Sequence, residues 1–197
     1  MKRRGWSLFF IVFLLVWPVV LSAGGKGHPP DVSVRARLLL DRDYFTTLLD
    51  AIDEARDEIV FCSYLFKTIA GARGYPEQVI DRLKAASRRG VRVRFVMELN
   101  REDGDLVRTN EQTARTLRDL GMDVVPDPQD RVTHAKLIVF DRKRLLAGSH
   151  NLTQAALGYN HEVSLLLESP ELAEEALRYI DALQNNNRPP KRAGEGK

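Results

Sequence analysis

The stretch His134-Ala135-Lys136-Leu137-Ile138-Val139-Phe140-Asp141-Arg142-Lys143-Arg144-Leu145-Leu146-Ala147-Gly148-Ser149-His150-Asn151 decides the reading of this chain. Two apolar runs flank a charged segment, a pattern that predicts a strand over 134–140, a turn at 141–144 and a second strand over 145–147. Side chains two apart on a strand share a face, so His134 and Lys136 project together. Ser149 and Asn151 lie two apart just past the second strand. If the strands pair across the turn, an imidazole, an ammonium, a hydroxyl and a carboxamide converge. That set suits a phosphate diester: a nucleophile, and donors for the non-bridging oxygens. Gly148 has no side chain and is expected to let a phosphate approach the backbone.

Outward from this stretch the chain alternates strand and helix signals. Strands are predicted at 34–40, 58–66, 91–96, 123–125 and 161–167. Helices are predicted at 44–55, from Pro76 to Arg89 with Gly90 just beyond the end, at 110–120 closed by Gly121, and from Pro170 to about Gln184 with Ser169 as cap. Residues 67–74 and 100–108 read as loops, and Pro126 and Pro128 as strand breakers. No internal repeat is present. The expected class is α/β: one domain built on a mixed β-sheet with helices on both faces. Its length of 197 residues fits one globular core.

The N-terminus stands apart. Lys2, Arg3 and Arg4 precede an apolar run from Trp6 to Leu21 and a small-residue exit at Ser22-Ala23-Gly24-Gly25. This is the layout of an export signal, and also of an uncleaved membrane anchor over residues 6–22. In either case the domain is expected outside the cytoplasm, exported or anchored, because the positive residues precede the apolar run. The domain plan is therefore a signal or anchor at 1–23, a Gly- and Pro-bearing linker at 24–33, a catalytic domain at 34–185 and a disordered tail at 186–197.

The net charge of +3 is a targeting feature. Once the three basic residues of the leader are set aside, 27 basic and 27 acidic residues remain. A basic footprint for nucleic acid must then be local. The candidates are Arg108, Arg115 and Arg118; Arg142, Lys143 and Arg144; and Arg188, Lys191 and Arg192. Cys62 is the one cysteine, which excludes an intrachain disulfide and a cysteine-based metal site. Its apolar surroundings suggest a buried structural thiol. No paired acids accompany the histidines, so neither a metal nor another cofactor is expected.

The spacing His134-x-Lys136-x4-Asp141-x6-Gly148-Ser149-x-Asn151 resembles the HxKx4Dx6GSxN motif of the phospholipase D superfamily. If each position were a one-in-twenty draw, six such identities would arise by chance in about one chain in a few hundred thousand. Tyr64 at a strand end, Arg88-Arg89-Gly90-Val91-Arg92-Val93 and Asn160-His161-Glu162 resemble further parts of the family, over roughly residues 36–183. The resemblance implies the phospholipase D-like fold. It makes His134 the nucleophile that forms a phosphohistidine, and Lys136 and Asn151 phosphate-oxygen ligands. Ser149 becomes a supporting polar residue, and Glu162 the carboxylate that orients the histidine. Asp141 belongs to the motif and looks more structural than catalytic. A single motif behind an apolar N-terminus most resembles the small bacterial endonuclease-like members and the mitochondrial-surface member.

A lone histidine would ordinarily be a satisfied core residue, but the motif overrides that reading for His134. Lys136 is costly to bury unpaired on an apolar strand, which favours a role. His150 and His161, next to site residues, are expected to face away, and His28 is incidental. Displacing an alkoxide from a phosphodiester requires an attacking group and an acid on opposite sides of phosphorus. One motif supplies one histidine, so a homodimer with a shared site is expected. Three functions stay open. They are a nuclease, a phospholipase D-type hydrolase of phosphatidylcholine or cardiolipin, and a non-catalytic binding protein on the same fold. A basic groove would favour nucleic acid and an apolar rim would favour lipid.

Overall fold

The structure, a computed structural model, describes residues 32–99, 104–128 and 131–184. The expected leader, most of the linker and the expected tail lie outside the described residues. The elements run β1 (Arg35–Leu40), α1 (Asp43–Glu54), β2 (Glu58–Ser63), α2 (Tyr75–Arg88), β3 (Arg92–Met97), α3 (Gly104–Asp119), β4 (Asp123–Pro126), β5 (Lys136–Phe140), β6 (Arg144–Gly148), α4 (Gln154–Gly158), β7 (Val163–Glu168) and α5 (Pro170–Gln184). Seven strands form one sheet in the order β1-β7-β6-β5-β2-β3-β4. β2, β3 and β4 run parallel, linked by crossover helices, and the other neighbours pair antiparallel.

Helices cover both faces, as the alternation of signals requires. On one face α1, α2, α3 and α4 bury Leu48, Ile52, Leu83, Leu117 and Leu157 against Phe61, Phe95, Ile138 and Phe140. Phe61 and Phe95 stack with centroids 4.2 Å apart. On the other, α5 packs Ala173, Leu177 and Ile180 onto Val60, Cys62, Val96 and Val139. The Cys62 thiol is buried there, and burial pushes its pKa up to about 12. The expected cap holds: Ser169 Oγ accepts the Leu172 N–H at 3.2 Å.

Several boundaries differ from the sequence reading. Helix α3 begins at Gly104, inside the expected 100–108 loop. Asp105 in its first turn complements the helix dipole and pairs with Arg108, and Leu106 and Val107 are half-buried. Helix α4 was not expected, because its five residues are too few to show a period. Thr153 caps it by accepting the Ala156 N–H at 3.1 Å. β5 begins at Lys136 and β7 at Val163, so His134 and Glu162 sit in the lead-ins to their strands.

Two side-chain clamps fix the sheet's ends. At one end, buried Asn110 of α3 accepts the Phe66 N–H at 3.0 Å and donates to the carbonyls of Tyr64 at 2.7 Å and Glu98 at 2.9 Å. Thr113, one turn along, donates to the Phe66 carbonyl at 2.7 Å. The chain leaving β2 is thereby held in place. At the other end, the Asp141 carboxylate accepts the N–H groups of Arg56, Asp57 and Glu58 at 2.9, 2.8 and 3.0 Å. Asp141 has φ 50, so it turns the β5–β6 hairpin and ties that turn to the start of β2. Its place in the motif also makes it a candidate site residue. It lies five residues along β5 from Lys136, about 16 Å away at the strand rise, and acts structurally.

Burial works against ionisation of Asp141, but the three backbone donors outweigh it and hold the carboxyl below its ordinary value. A depressed carboxyl stabilises the fold above the unfolded value of about 3.9, and this stability is lost as pH falls through the lower folded value. Asp141→Asn tolerates the positive φ yet loses the charge. It should lower urea-unfolding stability at pH 7 by about 1–2 kcal/mol, a figure reduced for partial exposure. The gap to wild type should narrow below about pH 4. A variant as stable as wild type at pH 7 would remove the clamp from the account.

Candidate active site

The β5–β6 register sets Leu137 opposite Ala147 and Ile138 opposite Leu146, which brings the residue after Gly148 level with the lead-in to β5. β7 pairs with β6 on the other side and places Gly148 opposite Ser164. His134, Lys136, Ser149, Asn151 and Glu162 therefore gather at one edge of the sheet, where β2 and β3 also end. Open α/β sheets hold their sites at this kind of edge, in loops that no ladder constrains.

His134 is exposed and Lys136 half-buried. Lys136 Nζ donates to the His134 carbonyl at 2.7 Å and lies 3.3 and 3.4 Å from Nδ1 and Nε2. The ammonium is thus within hydrogen-bond distance of both ring nitrogens. It also sits 4.8 Å from the centroid of the Tyr64 ring, which lies 4.3 Å from the imidazole. The Asn110 clamp on the Tyr64 carbonyl holds that aromatic wall in place. Burial, and then the charge of Lys136, hold the His134 pKa below its ordinary value. Both effects favour the neutral form of the imidazole. Burial also lowers Lys136, while the Glu162 carboxylate pulls it back up.

Ser149 Oγ donates to Glu162 Oε2 in a short hydrogen bond and accepts the Val163 N–H at 3.1 Å. Asn160 Nδ2 donates to Glu162 Oε1 at 3.1 Å. The Glu162 carboxylate is engaged by these two groups and not by His134 of the same chain. Asn151 Oδ1 is buried without a hydrogen-bond partner among the described residues. The end of that amide open to a phosphate oxygen is accordingly the donor, Nδ2.

Gly148 has a packing role of its own. A Cβ there would come within 2.1 Å of Ser164 Oγ and 2.4 Å of its Cα, so close packing of β6 on β7 demands the glycine. His150 does turn inward, as strand alternation predicts, and is buried; His161 is exposed, with Nδ1 3.5 Å from Asp41 Oδ2. The expected basic footprints are largely neutralised. Arg142 pairs with Glu174 and Glu58, Arg144 with Glu54, Arg108 with Asp105 and Arg115 with Glu111, while Arg118 donates to the Val124 carbonyl. The group Arg188, Lys191 and Arg192 lies outside the described residues. Sequence reading missed Asp41, whose carboxylate accepts the Glu162 N–H at 3.0 Å. Its position at a strand-to-helix turn on the site edge was the available signal.

A mixed sheet carrying a His-Lys pair, a Ser-Asn pair and a carboxylate at one edge defines the phospholipase D class. Comparison with known proteins agrees. Residues 48–184 match the family model described as "Cardiolipin synthase, PLD-like domain", and the chain belongs to the phospholipase D superfamily. It is 36% identical over 93 residues to a phospholipase D of Rickettsia felis, covering 47% of this chain and 44% of that one. It is 26% identical over 185 residues to the mitochondrial cardiolipin hydrolase of Canis lupus familiaris, covering 93% and 68%. The match thus spans less than half of the Rickettsia enzyme. Among solved structures, the phospholipase D family member Nuc from Salmonella typhimurium superposes with a TM-score of 0.66 at 25% identity, covering 78% of this chain and 95% of that one.

The electrostatics yield a test. Lys136→Met removes the cation beside His134, which should favour the imidazolium and move its pKa upward. Titration of the ring protons by NMR should place wild-type His134 below the ordinary value of about 6.5 and the variant above wild type. An unmoved or lower value in the variant would break the link between the two side chains.

Proposed function

We propose that this chain is a metal-independent phosphodiesterase that cleaves nucleic acid through a phosphohistidine on His134, with two chains sharing one site. The observation that carries the reading is the contact between the Lys136 ammonium and His134, at the edge that also presents Ser149, Asn151 and Glu162.

The chemistry follows from those groups. A ring nitrogen of one His134 attacks phosphorus, and the P–O bond to the leaving alkoxide breaks. The second chain's His134, drawn into its protonated form by the negative charge of the bound diester, donates a proton to that oxygen. The now neutral second histidine takes a proton from water, which attacks the phosphohistidine and restores the first imidazole. Lys136 and Asn151 Nδ2 take the charge of the non-bridging oxygens, and the Glu162 carboxylate holds the Ser149 hydroxyl beside them.

Two surface features support the rest. The β1–β7 edge exposes Leu38, Leu40, Val163 and Leu165 at 56, 50, 52 and 38%. They lie on one sheet face, paired Leu38 with Leu165 and Leu40 with Val163, and the strip begins next to Glu162. A second copy covering it would set the two sites side by side. Beside Asn160, Tyr159 is 73% exposed, with Tyr75 edge-on at 6.1 Å and the Arg42 guanidinium 5.7 Å from the Tyr75 centroid. An exposed ring backed by a half-buried one, with an adjacent cation, suits a stacked base of a single strand. The second reading is phospholipid hydrolysis, favoured by relatives named phospholipase D and cardiolipin hydrolase. On either reading residues 6–22 would carry the domain to or across a membrane.

A substrate panel in excess chelator decides between them: single-stranded DNA, duplex DNA, RNA, phosphatidylcholine and cardiolipin. We expect single-stranded nucleic acid to be cleaved fastest, and His134→Asn to lower the rate at least about a thousandfold while abolishing acid-trapped label on histidine. Cleavage of lipid alone establishes the second reading. Activity lost in chelator and restored by a divalent ion overturns the mechanism.

The shared site has its own test. Wild-type and His134→Asn chains are mixed at varied ratios and allowed to exchange. Specific activity should fall as the square of the wild-type fraction, because a mixed dimer lacks either nucleophile or acid. Leu165→Asp should yield a monomer with little activity. A linear mixing curve under proven exchange, or a fully active monomer, would refute the arrangement.

A further inference from the structure

The residue inside the Gly148-Ser149-His150-Asn151 segment that faces away from the site has an organised setting. His150 is buried and its ring stacks on Tyr44, also buried, with centroids 4.1 Å apart and planes within 6°. Its Nε2 lies 2.9 Å from the Asp41 carbonyl oxygen, which can only accept. The proton is therefore on Nε2, and Nδ1 accepts from Ser164 Oγ at 2.7 Å. Both ring nitrogens are satisfied in the neutral form, and burial favours that form by pushing the pKa below the ordinary histidine value.

Asp41, the residue His150 grips, stands between β1 and α1 with φ 48. It holds the lead-in to β7 at several points. Its N–H donates to the Glu162 carbonyl at 3.0 Å, its Oδ1 accepts the Glu162 N–H at 3.0 Å, and its Oδ2 faces His161 Nδ1 at 3.5 Å. The backbone hydrogen bond from Glu162 holds the Asp41 carboxyl below its ordinary value, so it is ionised at neutral pH. Glu162 in turn receives Ser149 Oγ, and Ser149 is covalently joined to His150. The contacts close a ring: His150 to Asp41, Asp41 to Glu162, Glu162 to Ser149, and Ser149 back to His150. Asp41 and His150 have no described contact with His134 or Lys136, yet the ring leaves Glu162 and Ser149 little freedom.

We propose that Asp41, anchored from beneath by His150, is a positioning residue that fixes the Glu162 carboxylate and the Ser149 hydroxyl at the reaction site. The proposal rests on the phosphodiesterase reading of that site. Its cause is geometric. A glutamate at the start of a strand has a free backbone on one side, and an angstrom of drift at a catalytic group lowers turnover strongly. Asp41 supplies the missing donor and acceptor partners for that backbone.

Two substitutions separate positioning from bulk stability. Asp41→Asn retains an acceptor oxygen and tolerates the left-handed backbone; Asp41→Gly suits that backbone better still and removes the acceptor. On bis(4-nitrophenyl) phosphate, kcat of Asp41→Asn should stay within about twofold of wild type. For Asp41→Gly, kcat should fall about 10- to 100-fold with KM within about threefold. In parallel, hydrogen exchange at the Glu162 amide should be slow in wild type and Asp41→Asn and much faster in Asp41→Gly, with Ile138 and Val139 amides unchanged in all three. Asp41→Gly with wild-type kcat and exchange, or Asp41→Asn as damaged as Asp41→Gly, would overturn the assignment. Wild type inert on every diester would instead sink the phosphodiesterase reading. The exchange comparison would still decide whether Asp41 holds Glu162.

Discussion

A slip of one residue between β5 and β6 would turn every side chain of β6 to the opposite face. It would bury the polar end of the strand and carry Ser149 and Asn151 away from Lys136. The pairing of Leu137 with Ala147 and of Phe140 with Arg144 is therefore the constraint on which the site depends. The register is secured at both ends. Asp141 ties the hairpin turn to three N–H groups ahead of β2, and the glycine at 148 lets β7 close against β6 where any Cβ would collide with Ser164. Two residues of the motif, Asp141 and Gly148, thus serve the geometry.

The same division explains what was legible in the sequence. The strands and long helices follow from apolar periodicity, because each buries a face in one of two cores. His134, Lys136, Ser149 and Asn151 were legible because their two-residue spacing beside the strands puts each pair on one face, and Glu162 only through the family resemblance. Asp141 and Gly148 were visible as motif members, but their roles depend on partners far along the chain: residues 56–58 for one, Ser164 for the other. A linear reading has no access to such contacts. Helix α4 escaped because one turn carries no period, and the early start of α3 because a polar, charged first turn resembles a loop. The contact between Asp41 and His150 escaped because it spans 109 residues.

Helix α3 shows how a surface element can govern a site that it does not enter. Asn110 and Thr113 replace, with side-chain atoms, the ladder that the chain gives up on leaving β2. The backbone of residues 64–68 keeps its hydrogen bonds while departing from the sheet, and Tyr64 can face His134 without strand geometry on its C-terminal side. Similar logic applies to the lead-in of β7, where Asp41 stands in for a strand neighbour.

The buried cysteine has a separate consequence. Cys62 lies on β2, the junction between the parallel and antiparallel halves of the sheet, with β3 and β5 on either side. Its thiol is 1% exposed and far from thiolate character. An alkylating reagent can reach it once α5 lifts away from that face. As the only sulfhydryl in the chain, it is a natural clock for that detachment. Its modification rate reads how often α5 leaves the sheet.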